Sequence, residues 1–285
     1  MQEVKMIDWF DSRYYQVFFE DGSSDFYPSV TTKLGVIAKP FLAHWRGDIG
    51  NREADAKMIE AQDRGTRIHF AWHIISMGGI ALFNPRNHPV YTHEQIDSKY
   101  KEFSNKVVVL ESQDEMWAIY KLKQFLIEVN PTILETEKTV YSHKYKEAGT
   151  LDGILAIDEG DYLVSGATKL HLPAGNYVID IKSGKVVDKD AFLQIAAYAN
   201  CAHEMGLHEI VGGLVLHTSA QTKKGIEGFT THYISREELD QKFKIFRNVA
   251  NFWEYDNEDA KPKIFNFPSE ITLDSNIIRT EKEPI

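Results

Sequence analysis

The sequence contains very little cysteine, and this limits the kinds of site that the chain can build. Cys201 is its one cysteine among 285 residues. No disulfide can therefore form within the chain, and a four-cysteine zinc site or iron–sulfur cluster is excluded. We expect a reduced, intracellular setting.

Long apolar runs are also missing. No window approaches about 18 uninterrupted apolar residues, the length that a membrane-spanning helix requires. The N-terminal segment MQEVKMIDWFDSRYY has no apolar stretch of signal-peptide length. We therefore expect no membrane partner, no signal peptide and a cytoplasmic location.

Positive charge is in deficit. The chain has 32 Lys+Arg against 42 Asp+Glu, which gives a net charge of −10. This balance argues against a protein that coats nucleic acid. It leaves room for an enzyme that binds locally through metal ions and a few lysines.

The sequence has no Gly/Ser/Pro-rich linker, so we treat residues 1–285 as a single domain. Within it, residues 28–130 are predicted to be a helical subregion and residues 131–258 an α/β core. The predicted fold class is α/β, with a mixed central sheet flanked by helices and a helical N-terminal half.

Local patterns predict the elements of the first half. Aromatic and β-branched runs around Asp21-Gly22 predict a hairpin over 8–27. Helical spacing of apolar residues predicts helices over 29–78, and 80–91 reads as a loop. Two capping-box patterns predict further helix starts, at Thr92 with Gln95 and at Ser112 with Glu115.

The second half alternates strands and helices. A helix is predicted over 189–206 and another over 235–255, and Pro262 and Pro268 lie in a looser tail. The insert 159–175 is predicted to form an extended hairpin. Strands are predicted over 133–142, 149–158, 175–183, 209–218 and 227–234.

Two acids lie in strongly apolar strand contexts. Asp180 precedes Lys182 by two residues in YVIDIK, so both side chains share one face of a strand, with the Ile181 carbonyl between them. Asp152 lies in LDGILAI. Buried carboxylates coordinate metal or pair with a cation, and Mg²⁺ prefers oxygen ligands. The alternative is a surface salt bridge between Asp180 and Lys182.

Further polar pairs occur at helical spacing. His69 and His73 are one helical turn apart, a spacing that also occurs in zinc proteases. Phe70 stands where the zinc-protease motif has glutamate, which argues against that class of enzyme. His69 is then either a core residue or a ligand of the acidic site. Gln194 and Tyr198 share one helix face. They could contact a phosphate, a base or Lys182, or simply satisfy a helix interface.

The order of these residues resembles a known family. Four blocks, GxxxH, GxxD, (D/E)xK and QxxxY, occur in sequence as Gly65–His69, Gly149–Asp152, Asp180–Lys182 and Gln194–Tyr198. The chain thereby resembles the RecB-like branch of the PD-(D/E)XK nuclease superfamily. The segment PSVTTKLGVIAKPFLAHWR at 28–46 is similar to the mitochondrial genome maintenance exonucleases and their phage and bacterial relatives.

The resemblance implies a restriction-endonuclease-like core and a set of site residues. His69, Asp152, Asp180 and the Ile181 carbonyl would bind one or two Mg²⁺ or Mn²⁺ ions, and Lys182 would act on the attacking water. Gln194 and Tyr198 would touch the substrate or order the site. The family uses a further acid, for which Glu137 is the first choice and Glu135 the second. Lys185 and Arg67 are candidate phosphate contacts.

The resemblance also implies an activity. We expect a bacterial or phage-encoded DNA exonuclease that acts on single-stranded ends in repair or replication, with replication or recombination proteins as partners. A structure-specific endonuclease of the same fold remains an alternative. Two further alternatives are a DNA-binding accessory protein that does not cleave and an acidic scaffold for protein interactions.

Overall fold

A computed structural model describes residues 3–10, 12–103, 106–165, 168–218, 230–258 and 260–262. The predicted strand residues 227–229 and the part of the tail that contains Pro268 lie outside these ranges. None of the helices in the described part of the chain is both long and apolar enough to cross a membrane.

The chain begins with a three-stranded antiparallel sheet. Strands β1 (Val4–Trp9), β2 (Ser12–Phe18) and β3 (Ser24–Pro28) lie in that order. The predicted hairpin is confirmed for β2 and β3, and Gly22 adopts φ 84° in the turn between them, a conformation that favours glycine. The sheet packs on the central sheet through Tyr15 and Tyr27.

Five α-helices follow. The predicted capping boxes at Thr92 and Ser112 are both present, and Asn130 ends the last of these helices in a left-handed conformation, directly before Pro131. The helices are α1 (Val30–Leu34), α2 (Pro40–Ile49), α3 (Asn51–Ser76), α4 (His93–Lys99) and α5 (Gln113–Val129).

The prediction of a loop over 80–91 is wrong at its start. Strand β4 (Ile80–Phe83) pairs in parallel with β5 (Val107–Leu110), and the predicted helical subregion 28–130 therefore also contains two short strands. A four-residue apolar run gives no usable periodicity, and its partner strand lies beyond α4. Nothing local in the sequence indicates this pairing.

A mixed five-stranded sheet forms the centre of the molecule, in the order β12-β11-β10-β7-β6. Strands β10 and β11 are parallel, and the other neighbours are antiparallel. Its strands are β6 (Thr132–Ser142), β7 (Glu147–Ile157), β10 (Gly175–Lys182), β11 (Ile210–His217) and β12 (Thr230–Ser235).

Two helices and one hairpin complete the second half. Helix α6 (Lys189–Glu204) connects the parallel strands, and α7 (Arg236–Asp256) follows β12. The insert forms the predicted hairpin, with strands β8 (Gly160–Ser165) and β9 (Thr168–Leu172). The prediction of an α/β fold with a mixed central sheet is therefore confirmed.

Both faces of the central sheet are covered. On one face Leu155 and Ile179 belong to a core with Trp72 of α3 and Leu122 of α5. The neighbouring strand residues Ile154 and Val178 belong to a second core, with α6 and α7. Burial of apolar side chains on both faces holds the two helical layers against the sheet, with α3 and α6 on opposite sides of it.

Candidate metal centre

Asp152 lies on β7, the strand between β10 and β6, and is only 7% exposed. Its Oδ1 is 2.8 Å from Nδ1 of His69 on α3. The ladder between β7 and β10 ends at the Gly153–Ile179 pair, and beyond it Oδ2 of Asp152 accepts the Ile181 N–H at 2.6 Å. A side-chain carboxylate thus replaces the strand pairing where the two strands separate.

Glu137 on β6 joins these two residues. The pairs Thr136–Gly153 and Lys138–Leu151 place Glu137 across from Asp152. Ligand atoms of His69, Glu137 and Asp152 all lie within 4.8 Å of one another. We call these three residues the metal group. Glu137 has φ 47°, a left-handed conformation that is uncommon outside glycine and that clusters at functional sites.

The donor set fits a divalent cation. Two carboxylates and an imidazole suit Mn²⁺, and the carboxylates suit Mg²⁺. Oε1 of Glu137 is buried and has no hydrogen-bond partner, which is costly for a charged group unless a cation is bound. Burial, and then the charge of Asp152, raise the pKa of Glu137 to about 7.

His69 and Asp152 form an ion pair. Burial opposes protonation of His69, but the adjacent Asp152 carboxylate outweighs it and raises the pKa of His69 to about 9. Burial also disfavours the Asp152 carboxylate, but His69 outweighs it and lowers the pKa of Asp152. A metal ion bound here would replace the imidazole proton, since a ligating histidine is neutral.

Asp180 lies beside the metal group. It follows Ile179, the last residue of β10 that pairs with β7, and its side chain shares a strand face with Lys182, as predicted. The Lys182 Nζ lies 2.9 Å from Oδ2 of Asp180, which is 2% exposed. Burial and the charge of Asp152 together outweigh Lys182 and raise the pKa of Asp180 to about 6.

The predicted Gln194–Tyr198 pair completes a hydrogen-bonded chain that starts at Lys182. Lys182 Nζ donates to Gln194 Oε1 at 3.1 Å, and Gln194 Nε2 donates to the Tyr198 hydroxyl at 3.1 Å. Tyr198 is 4% exposed and packs on Gly149, where a Cβ atom would lie 2.3 Å from its ring. Its burial favours ordering of the site over stacking on a base.

A cleft of about 740 Å³ opens next to this chain. Lys182 and Gln194 line one side of it, and Lys39 and Arg46, at the start of α2 and within it, line the other. Lys39 forms ion pairs with Asp188 at 3.1 Å and Asp190 at 2.8 Å, across the cleft at the start of α6.

The structure does not bring every predicted residue to the site. Arg67 points away, and its guanidinium pairs with the buried Glu115 of α5 at 2.7 Å. Lys185 is exposed in the loop between β10 and α6. Glu135 pairs with Lys138 and His208, which leaves Glu137 as the additional acid of the metal group.

Sequence reasoning missed several contacts. It did not anticipate the Ile181 N–H donor to Asp152, the Lys39 pairs with the start of α6, or the bond from His73 to Thr136. Each of these joins elements far apart in the chain, so no local pattern could have indicated them.

Comparison of the chain with models of known protein families and with curated protein sequences gave no match.

Proposed function

We propose that this protein is a Mg²⁺- or Mn²⁺-dependent nuclease of the RecB-like branch of the PD-(D/E)XK superfamily, and that it hydrolyses DNA from single-stranded ends. The observation that carries the proposal is the convergence of His69, Glu137 and Asp152 beside the Asp180–Lys182 pair. The parallel β10–β11 pair with its connecting helix α6 supports a restriction-endonuclease-like core for the same reason: it brings the (D/E)xK strand and the QxxxY helix together.

The metal group and Lys182 have different roles in the proposed hydrolysis. A divalent ion held by His69, Glu137 and Asp152 would lower the pKa of a bound water and stabilise the leaving oxygen. Burial disfavours a charged Lys182, but Asp180 and Asp152 outweigh it and raise the pKa of Lys182. The raised pKa favours the protonated form of Lys182. In that form it would orient the water and neutralise charge on the phosphate.

Gln194 and Tyr198 fix the position of that ammonium group. The Gln194 amide accepts from Lys182 and donates to Tyr198, which is itself locked by packing on Gly149. A positioned cation stabilises a developing negative charge without reorganisation at the moment of reaction. This arrangement supports a role for Gln194 and Tyr198 in ordering the site.

The cleft supports a single-stranded substrate. Its volume of about 740 Å³ is in the range of a pocket for a small ligand, which suits a nucleotide or two of a single strand. The cations Lys39 and Arg46 line it on the α2 side, where Arg46 pairs with Asp55 of α3 at 2.7 Å, and Lys182 also lines it. A strand threaded between α2 and α6 would present its phosphates to all three.

Metal binding tests the site directly. Calorimetry with Mn²⁺ should show binding to the wild-type chain and clearly weaker, but still measurable, binding to Glu137→Gln. The matched control is Glu135→Gln, two residues away on the same strand, which should bind as the wild type does. Equal Mn²⁺ affinity in Glu137→Gln and the wild type would refute the site.

Cleavage of an end-labelled single strand tests the activity. Asp180→Ala and Lys182→Ala should each abolish cleavage while the fold, followed by circular dichroism, is unchanged. Metal-dependent cleavage at the wild-type rate by either variant contradicts the assignment. A wild-type chain that binds Mn²⁺ and DNA but leaves the strand intact would instead be a non-cleaving accessory protein.

A circular single strand separates exonuclease from endonuclease. The proposed exonuclease degrades linear DNA and leaves the circle intact, because it needs a free end to enter the cleft. Linearisation of the circle would identify the protein as an endonuclease of the same fold.

A further inference from the structure

Helix α3 attaches to both strands that carry acids of the metal group. His69 contacts the Asp152 carboxylate, and Trp72 Nε1 donates to the Asp152 backbone oxygen at 3.0 Å. One residue further on, Nδ1 of His73 lies 2.8 Å from the Thr136 hydroxyl on β6. His73 is not a member of the metal group, and the function proposed above gives it no role.

The strand around Thr136 departs from regular alternation. Successive side chains of a strand normally point to opposite faces. Here Thr136 contacts His73 and Glu137 approaches His69, so two consecutive side chains face α3. Their neighbours Glu135 and Lys138 pair with each other at 3.3 Å, which places both of them on the same side.

The left-handed conformation of Glu137 produces this inversion. Its φ of 47° rotates the side chain to the face that Thr136 already occupies. A non-glycine residue keeps such a conformation only when surrounding contacts hold it there. Oε1 of Glu137 has no hydrogen-bond partner, so no bond to this oxygen fixes the side chain. Its neighbours are held in place: Thr136 and Lys138 pair with β7, and the Thr136 hydroxyl contacts His73 on α3.

We propose that His73 is a positioning residue for the metal site. Through the Thr136 hydroxyl it holds β6 in the conformation that directs Glu137 towards His69 and Asp152. The inference rests on the proposed metal site, and it goes beyond it by assigning the second histidine of the HxxxH pair to the partner strand rather than to the ion.

The test is Mn²⁺ affinity of the full chain, measured by calorimetry. Thr136→Val removes the hydroxyl at nearly constant volume and should weaken Mn²⁺ binding about tenfold, the usual lower limit for loss of a residue that orients a metal ligand. Thr136→Ser keeps the hydroxyl and should bind as the wild type does. His73→Leu should resemble Thr136→Val, and His73→Asn, whose amide can replace Nδ1, should restore most of the affinity.

A second background separates positioning from general destabilisation. In Glu137→Gln, Thr136→Val should cause no additional loss of residual Mn²⁺ affinity, because the residue that it positions is already disabled. Thermal unfolding of each variant confirms that the compared proteins are folded.

The outcomes divide cleanly. Wild-type affinity in both Thr136→Val and His73→Leu overturns the inference and leaves the metal site standing. An additional tenfold loss in the Glu137→Gln background also overturns it, since the bond would then act through something other than Glu137. A wild-type chain that binds no Mn²⁺ overturns the metal site and this inference together.

Discussion

The surroundings of Glu137 disfavour the ionised form of its carboxylate. Its pKa is raised from 4.5 to about 7, first by burial and then by Asp152. The unfolded chain releases this proton near pH 4.5, so between about pH 4.5 and 7 the folded chain holds more protons than the unfolded chain. The free energy of unfolding must therefore fall as pH rises through this window.

This linkage gives a pH prediction for the metal-free protein. In chelator, the free energy of unfolding should decline from pH 5 to 7.5, with up to about 3 kcal/mol attributable to Glu137 at 1.36 kcal/mol per pKa unit. Asp180, with a pKa raised to about 6, adds a decline of the same sign. His69 stabilises the fold fully below pH 6.5 and loses this contribution as pH rises through about 9.

Glu137→Gln separates these contributions. The amide cannot ionise, so denaturant unfolding of this variant should show a much flatter pH dependence between pH 5 and 7.5. Glu135→Gln, whose native carboxylate is paired with Lys138, should retain the wild-type slope. The same steep slope in all three proteins would show that Glu137 does not hold its proton in the folded chain.

Two glycines of the motif should respond in opposite ways to alanine. A Cβ at Gly149 would lie 2.3 Å from the Tyr198 ring, whereas a Cβ at Gly65 would meet nothing within 4 Å. Gly149→Ala should displace Tyr198, destabilise the chain by about 1–3 kcal/mol and reduce cleavage. Gly65→Ala, inside α3, should stabilise it by about 0.5–1 kcal/mol.

Thermal unfolding and the cleavage assay measure both effects. If Gly149→Ala were as stable and active as the wild type, the Tyr198 ring could not be the fixed support of Gln194. If Gly65→Ala were stable but inactive, the open space above Gly65 would be needed by the substrate rather than by the fold.

At the level of elements, α3 connects the site to the rest of the helical layer. Arg67, one turn before Ala71 and two residues before His69, pairs with Glu115, which is fully buried at the start of α5. Glu115 also accepts the backbone N–H groups of Glu111 and Ser112. Arg67 thus neutralises a carboxylate that the α5 capping box requires.

We predict that Arg67→Ala is a stability variant and not a DNA-binding variant. Loss of the guanidinium leaves the Glu115 charge buried and unpaired, which should lower the free energy of unfolding by about 2–3 kcal/mol, less than for a fully buried pair because Arg67 is 29% exposed. Lys185→Ala, at an exposed position, should leave stability unchanged. Weaker DNA binding by a folded Arg67→Ala at unchanged stability would return Arg67 to the substrate contacts.

The sequence predicts those elements whose signals are local. The capping boxes at Thr92 and Ser112 and the hairpin at Gly22 are set by residues close together in the chain, and all three are present. Strand β4 was missed because its partner β5 lies more than 20 residues away, beyond α4. Its four apolar residues carry no information about that pairing.

The site was partly predictable for the same reason. The motif spacing predicts His69, Asp152, Asp180 and Lys182 as site residues, because each motif is recognised from residues that are close together in the sequence. Regular alternation along β6 treats Glu135 and Glu137 as equivalent. Only the left-handed residue at 137 separates them, and this conformation is held by contacts with α3, which the sequence of the strand does not contain.

For the whole molecule, the negative net charge opposes binding of the proposed DNA substrate. The net charge is −10, and the cleft carries Lys39, Arg46 and Lys182 against Asp188 and Asp190. A strand phosphate that enters the cleft competes with Asp188 and Asp190 for Lys39. Few phosphates can therefore be bound at once, and binding should depend on the cleft rather than on the general surface.

The salt dependence of DNA affinity measures this number. For a single strand, the logarithm of the binding constant falls with log[salt] by about 0.7 per phosphate contacted, so three cleft cations predict a slope of about −2. We expect this slope for a short oligonucleotide bound to the inactive Asp180→Ala chain at constant Mn²⁺.

Lys39→Ala and Arg46→Ala should each reduce the magnitude of this slope by about 0.7. Lys57→Ala, which removes an exposed cation on α3 paired with Glu53, should not change it. A slope steeper than about −4, or one that responds to Lys57 and not to Lys39, would place the strand on a surface outside the cleft.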